Sequence, residues 1–138
     1  MLCSTRLMTA LTLSALTLPL SAAAQESEHC TNATLHGSYG LHATGTNAAG
    51  LPFAAVGRFT FDGMGNLTGH LFTNVGGNNR EREFAGTYSV SPDCIVTDFW
   101  GAPVNSTHVS VITDHGKAYV ILNTTMGSGT ISGDARRQ

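Results

Sequence analysis

The chain has 138 residues, of which 41% are hydrophobic and 12% are charged, and its formal net charge is −2. Such a composition suits one globular domain, and it lacks the basic patch with interleaved aromatic residues that nucleic-acid binding requires. No amphipathic helical stretch for a membrane surface is present either.

The first 24 residues are typical of a secretory signal peptide. Arg6 supplies the positive charge, an apolar stretch follows over residues 7–20, and small residues lead up to Ala24. The apolar stretch is shorter than the roughly twenty residues that cross a bilayer. Cys30 lies too far beyond Ala24 to be a lipid attachment site. We therefore expect a single domain over residues 25–138, periplasmic or secreted, without membrane insertion after signal removal.

Removal of the signal peptide changes the number of cysteines in the mature chain. Cys3 leaves with the signal peptide, and Cys30 and Cys94 remain. Two cysteines in an oxidising compartment most simply pair with each other, whereas the alternative, a reactive thiol, is rarely kept reduced there. The bridge would close a long loop and contribute about 4 kcal/mol.

Eight short runs of alternating apolar residues follow, separated by turn residues such as Gly, Pro, Asn and Asp. This is the pattern of strands and hairpins, and helical periodicity is absent. The predicted strands are Gly37–Gly45, Pro52–Asp62, Asn66–Val75, Glu81–Val90, Cys94–Trp100, Thr107–Thr113, Lys117–Asn123 and Gly129–Arg136.

Eight strands with short links predict an all-β fold of neighbouring antiparallel strands. An open sheet of this size would expose two edges and leave one face unburied. Closure into an eight-stranded antiparallel up-and-down β-barrel removes both problems. A two-sheet β-sandwich is the alternative, because local strand pairing does not distinguish the two.

Six polar residues inside the predicted strands are candidates for lining a barrel cavity, which in eight-stranded barrels is either filled or holds one small ligand. Inward polar groups in an apolar cavity acquire shifted pKa values and can serve catalysis. The candidates are Arg58, His70, Glu83, Tyr88, Asp98 and His108. Alternatively, they are the outward members of each alternation. Arg58, for example, faces solvent if Phe59 and Phe61 face inward.

No motif assigns a catalytic residue, a metal or a cofactor. The six histidines form no H-x-H or H-E-x-x-H pattern. A nucleophile elbow is absent, and the glycine-rich segments lack the lysine and the following helix of a phosphate-binding loop. We therefore expect neither a metal nor a cofactor.

Five segments resemble a group of small secreted bacterial proteins without an agreed activity. They are CTNATLHGSYGL, AAVGRFTFDGMGNLTG, FAGTYSVSPDC, ITDHGKAYVIL and SGDARRQ. The resemblance implies that Cys30 and Cys94 are paired and that the setting is bacterial and periplasmic or secreted. More loosely, the expected architecture is similar to calycin-like and allene-oxide-cyclase-like barrels, whose members bind small apolar molecules or cyclise them in the cavity.

These observations favour a non-enzymatic barrel that binds a small apolar molecule or has a structural or interaction role. The alternative is a cavity enzyme, a cyclase or isomerase, which requires at least two of the six candidates to converge on one pocket. An inhibitor or adhesin acting through its loops is a third possibility that the sequence does not separate from the first.

Overall fold

The computed structural model describes residues 29–138. The predicted signal peptide over residues 1–24 and its cleavage site lie outside the described residues and stay predictions. Within the described part of the chain, no helix has the length and apolar character to cross a membrane. Helical structure there consists of two single 3₁₀ turns, Asn32–Thr34 and Asp114–Gly116.

Eight antiparallel strands form a closed barrel in which each strand pairs with its sequence neighbours. The first strand also pairs with the last, over Tyr39–Asn47 and Gly129–Arg137, which closes the sheet. This confirms the predicted up-and-down barrel and excludes the sandwich. The strands are β1 His36–Asn47, β2 Pro52–Asp62, β3 Asn66–Val75, β4 Asn78–Val90, β5 Ile95–Trp100, β6 Ser106–Thr113, β7 Ala118–Asn123 and β8 Gly129–Arg137.

The β2–β3 hairpin shows how local chemistry sets the register. The Asp62 carboxylate accepts hydrogen bonds from the backbone N–H groups of Met64 (2.7 Å) and Asn66 (3.0 Å) and from the Asn66 side-chain amide (2.7 Å). These bonds lower the pKa of Asp62, and the bond from the Asn66 side-chain amide has the largest effect. In the turn between Asp62 and Asn66, Gly63 and Gly65 have positive φ, which glycine adopts without steric cost.

Aromatic side chains fill one half of the interior. Phe61 is in edge-to-face contact with three tyrosine rings, Tyr39, Tyr88 and Tyr119, at centroid distances of 5.0–5.8 Å. A second layer of Phe59, Phe84 and Trp100 lies above it, with centroids 4.7–5.5 Å apart. Gly69, paired with Phe84 on the neighbouring strand, makes room for that layer because a Cβ there would meet the Phe84 ring at 2.3 Å.

The segment over residues 30–35 covers the end of the barrel at which β1 begins, and we call this end the plugged end. Leu35 is 1% exposed beneath the aromatic cluster. A disulfide joins Cys30 to Cys94 with the Cα atoms 5.0 Å apart, as predicted. Cys30 N–H also donates to the Pro92 carbonyl (3.1 Å). The opposite end, at which the β3–β4 turn lies, has no such covering segment among the described residues, and we call it the open end.

Candidate functional site

A cavity of about 190 Å³ lies inside the barrel at the open end. It exists because small residues face inward side by side on neighbouring strands. Ala43 pairs with Ala55 on β2 and with Gly133 on β8, and Ala55 pairs with Thr73 on β3. Larger apolar side chains complete the lining: Leu41, Phe53, Leu71, Trp100, Ile121 and Ile131. The aromatic filling of the plugged half therefore stops where these small side chains begin.

Asp98 and His108 form a buried hydrogen-bonded pair at this cavity. Their strand positions are directly opposite in the β5–β6 register, and His108 Nδ1 lies 2.8 Å from Asp98 Oδ1. Both side chains are 4% exposed, and His108 lines the cavity. In a neutral imidazole, a carboxylate at this position accepts from Nδ1–H, and Nε2 is then the acceptor nitrogen. Among the described residues Asp98 is the one hydrogen-bond partner of His108.

Trp100 connects the cavity to the packed half. Its ring centroid lies 3.8 Å from that of His108, with the planes tilted by 36°, and it stacks on Phe84 at 5.1 Å. Trp100 is also the single tryptophan of the sequence. The tryptophan fluorescence of the protein therefore comes from this one side chain, at the boundary between the cavity and the packed half.

Two serines of β6 have buried hydroxyl groups without partners. Among the described residues no hydrogen-bonding group reaches the Oγ atoms of Ser106 and Ser110, which belong to residues 7% and 2% exposed. Ser106 lines the cavity. A buried hydroxyl without a hydrogen bond costs roughly 1–3 kcal/mol, so these groups are the expected contacts for something that the protein alone does not supply.

Arg82 brings a positive charge to the same cavity. It lies on the inward side of β4 opposite Leu71, between the exposed Glu81 and Glu83, and it lines the cavity. Within residues 29–138 its guanidinium has no ion pair or side-chain hydrogen bond. Withdrawal of a charge from water is costly without a partner, so a half-buried guanidinium gains from an anion beside it.

Tyrosines near the plugged end have altered ionisation. Burial raises the pKa of the Tyr119 phenol well above its ordinary value, and the negative charge of Asp98 adds to the shift. Burial likewise raises the pKa of Tyr88, whose hydroxyl lies 3.0 Å from the carbonyl oxygens of Asn32 and Leu35. Tyr88 therefore faces inward but contacts the plug rather than the cavity.

Three of the six candidates face away from the cavity. Arg58, His70 and Glu83 lie on the outer surface, because the large apolar residues of β2, β3 and β4 occupy the alternate positions. His70 Nε2 lies 2.6 Å from Glu81 Oε1 and His70 Nδ1 lies 3.9 Å from Glu83 Oε1, all in exposed side chains. Of the six, the structure thus brings together Asp98 and His108 at the cavity, with Tyr88 at the other end.

Arg82, Trp100 and Ser106 were missed by sequence reasoning. The signal for Arg82 was present, because Phe84 and Tyr88 define the inward positions of β4 and Arg82 shares their spacing. Of the described residues, no group of three His, Cys, Asp or Glu side chains is arranged to hold a metal ion.

Comparison with solved structures identifies designed barrels of the same architecture. A redesigned β-barrel superimposes with a TM-score of 0.56 at 14% identity, covering 78% of this chain and 94% of its own. The redesigned barrel mFAP1, solved bound to DFHBI, gives a TM-score of 0.53 at 18% identity and covers 77% of this chain and 97% of its own. A de novo designed fluorescence-activating barrel gives 0.53 at 11% identity, covering 76% and 94%.

No protein-family model and no curated protein matches the chain. At these identities the structural likeness establishes the fold, a closed eight-stranded antiparallel β-barrel, and no family.

Proposed function

We propose that the protein binds a small, mostly apolar molecule in the cavity at the open end. The observation that carries this proposal is an apolar cavity lined by Ser106, whose buried hydroxyl has no partner among the described residues, and by His108, which Asp98 orients through Nδ1. Apolar lining with a few converging polar groups is the usual composition of a small-molecule site. Barrels of this fold include one solved with DFHBI bound, which is compatible with the proposal.

The cavity volume limits the size of the ligand. A cavity of about 150 Å³ accepts benzene, whereas drug-sized ligands occupy pockets of about 300–1,000 Å³. A volume near 190 Å³ therefore suits a molecule with one ring, or an aliphatic compound of similar size, whose substituent reaches the open end.

Ligand binding is testable through Trp100. One-ring aromatic compounds are titrated into the protein while Trp100 fluorescence and the melting temperature are recorded. We expect a saturable fluorescence change and a concentration-dependent rise in melting temperature, because a ligand that binds the folded state stabilises it.

A matched pair of variants locates the binding. Ala55 faces the cavity and Ala54 faces solvent on the same strand. Ala55→Phe fills the cavity and should abolish the titration, whereas Ala54→Phe should leave it intact. The proposal is wrong if both variants bind equally well, or if no compound of this size changes either signal. Ala55→Leu serves as a milder substitution if Ala55→Phe does not fold.

Proton-transfer catalysis in the same cavity is a second candidate, and the Asp98–His108 pair favours it. A carboxylate that orients a histidine from behind, with Nε2 directed to a cavity, is the arrangement of a general base. His108 would take a proton from a carbon next to a substrate carbonyl and return it at another position or to the same atom. This is the chemistry of an isomerase or cyclase.

Solvent exchange tests the second candidate without knowledge of the natural substrate. Small ketones and keto acids are incubated with the protein in D₂O, and deuterium incorporation is followed by NMR. A general base at His108 predicts enhanced exchange that Asp98→Asn and His108→Gln both lower, while His42→Gln on the outer surface has no effect. Exchange no faster than in buffer would leave only the binding function.

We also propose that the protein is exported to the periplasm or secreted, and that it belongs to the group of secreted bacterial proteins that it resembles. The Cys30–Cys94 disulfide is compatible with an oxidising compartment. Expression of the full chain in a bacterium, followed by mass spectrometry of the periplasmic fraction, should yield a product that begins at Gln25. A full-length product confined to the cytoplasm would contradict export.

A further inference from the structure

The position of Arg82 points to the chemical class of the ligand, given the proposed binding function. We infer that the ligand carries a negatively charged group, a carboxylate, which pairs with the Arg82 guanidinium at the open end of the cavity. The proposed ligand is therefore a small carboxylic acid with an apolar body.

The charge of Arg82 has no counterpart in the cavity lining. Among the cavity-lining residues Arg82 is the single one with a permanent charge, and no carboxylate of the described residues pairs with it. Glu81 and Glu83, its neighbours in sequence, point to the opposite side of β4. Planar guanidinium groups bind carboxylates through two parallel hydrogen bonds, so a carboxylate is the complementary anion.

The second inward arginine of the barrel provides an internal reference. Arg137, at the plugged end, donates hydrogen bonds to the Tyr39 hydroxyl (2.9 Å) and to the Gly116 carbonyl (3.1 Å). The fold thus supplies partners to an arginine that has a structural role, whereas it supplies none to Arg82. This difference favours a ligand role for Arg82.

Arg82 and Trp100 line the same cavity at different positions along the barrel wall. Trp100 pairs with Gly86, which lies four residues from Arg82 along β4. At the rise of a β-strand the two positions are separated by about 13 Å along the strand. An elongated molecule fits between them, with its apolar body against Trp100 and its carboxylate towards the open end.

Benzoate and benzamide test this inference, because they have nearly the same shape and differ in charge. Binding is measured by Trp100 fluorescence and by calorimetry at low salt. We expect benzoate to bind at least about tenfold more tightly than benzamide, the usual effect of one charge-assisted pair, and we expect the preference to shrink at high salt.

Variants assign the preference to Arg82. Arg82→Gln should bring the two affinities together, whereas Arg58→Gln, which removes an exposed arginine from the outer surface, should preserve the preference. Equal binding of the two compounds to the unmodified protein, or an unchanged preference in Arg82→Gln, overturns the inference and leaves the cavity function standing. If neither compound binds while another one-ring compound does, the inference is overturned and the binding function stands; if no one-ring compound binds, both are overturned.

Discussion

The two ends of this barrel differ in how far their inward polar side chains are paired within the protein. At the plugged end, Tyr39 donates to the Gly116 carbonyl at 2.6 Å, and Tyr88 and Arg137 also have partners within the protein. At the open end, Ser106 and Arg82 have none among the described residues; Ser110, farther along β6 and outside the cavity lining, also lacks one. Because the same eight strands form both ends, the difference lies in the inward side chains and not in the architecture. The proposed ligand site rests on this difference.

Removal of the disulfide tests the plugged end most severely. Cys30→Ser together with Cys94→Ser releases the segment over residues 30–35 from β5. The expected loss is about 2–5 kcal/mol of unfolding free energy, as for other small disulfide-containing domains. Guanidinium denaturation of the double variant measures this loss. Unchanged stability would show that the plug holds without the bridge.

Substitution of the two inward arginines compares the ends directly. Arg137→Leu should lower the free energy of unfolding by about 1–3 kcal/mol, since it removes charged hydrogen bonds from a half-buried network. Arg82→Leu should be neutral or slightly stabilising, because it removes an unpaired charge without breaking a contact. Urea denaturation of both variants measures the difference. Equal destabilisation would contradict the distinction between the two ends.

High pH should weaken the packed half through Tyr119. Because its pKa is raised in the folded state, Tyr119 loses its proton at a lower pH in the unfolded chain than in the folded protein. The resulting stability is complete below about pH 10, the unfolded value, and falls above it by up to about 1.4 kcal/mol per pH unit. Denaturation at several pH values should show this slope, and Tyr119→Phe should reduce it. An identical slope in the variant would contradict the assignment to Tyr119.

The smallest expected effect is at the serines with unpartnered hydroxyls. Ser106→Ala removes an unsatisfied hydroxyl and should stabilise the ligand-free protein by about 0.5–1 kcal/mol. Ser38→Ala is the control, because the half-buried Ser38 is hydrogen-bonded, 3.1 Å from the Thr60 hydroxyl and 3.3 Å from Arg58 Nη2, so its loss should not stabilise the protein. Thermal denaturation distinguishes them. Destabilisation by Ser106→Ala would show that its hydroxyl is satisfied in solution.

The strands were the most predictable part of the molecule. The predicted bounds of β2 and β3 agree with the structure at both ends, since alternating apolar residues and the Asp62 turn chemistry are both local signals. β4 begins at Asn78 rather than Glu81, because Gly76 and Gly77 turn the chain with positive φ just before it. Polar residues at that hairpin end carry no strand signal of their own.

The site was harder to predict because the usual hydrophobic pattern is reversed there. On β6 the valines Val109 and Val111 face solvent, whereas Ser106, His108 and Ser110 face inward. The local pattern alone would turn the valine face of β6 inward. The pairing of β6 with β5, where Val96 and Trp100 are buried, determines that the serine and histidine face is inward. Departures from the expected pattern concentrate at functional sites, and the reversal on β6 coincides with the proposed ligand cavity.

Methyl NMR of the protein with and without benzoate tests the central claim, that the open end is the binding end. We expect chemical-shift changes for the methyl groups of Ala43, Ala55 and Ile121, which line the cavity, and none for Leu35 at the plugged end. Shifts confined to Leu35, or to the exposed Val109 and Val120 on the outer surface, would contradict it.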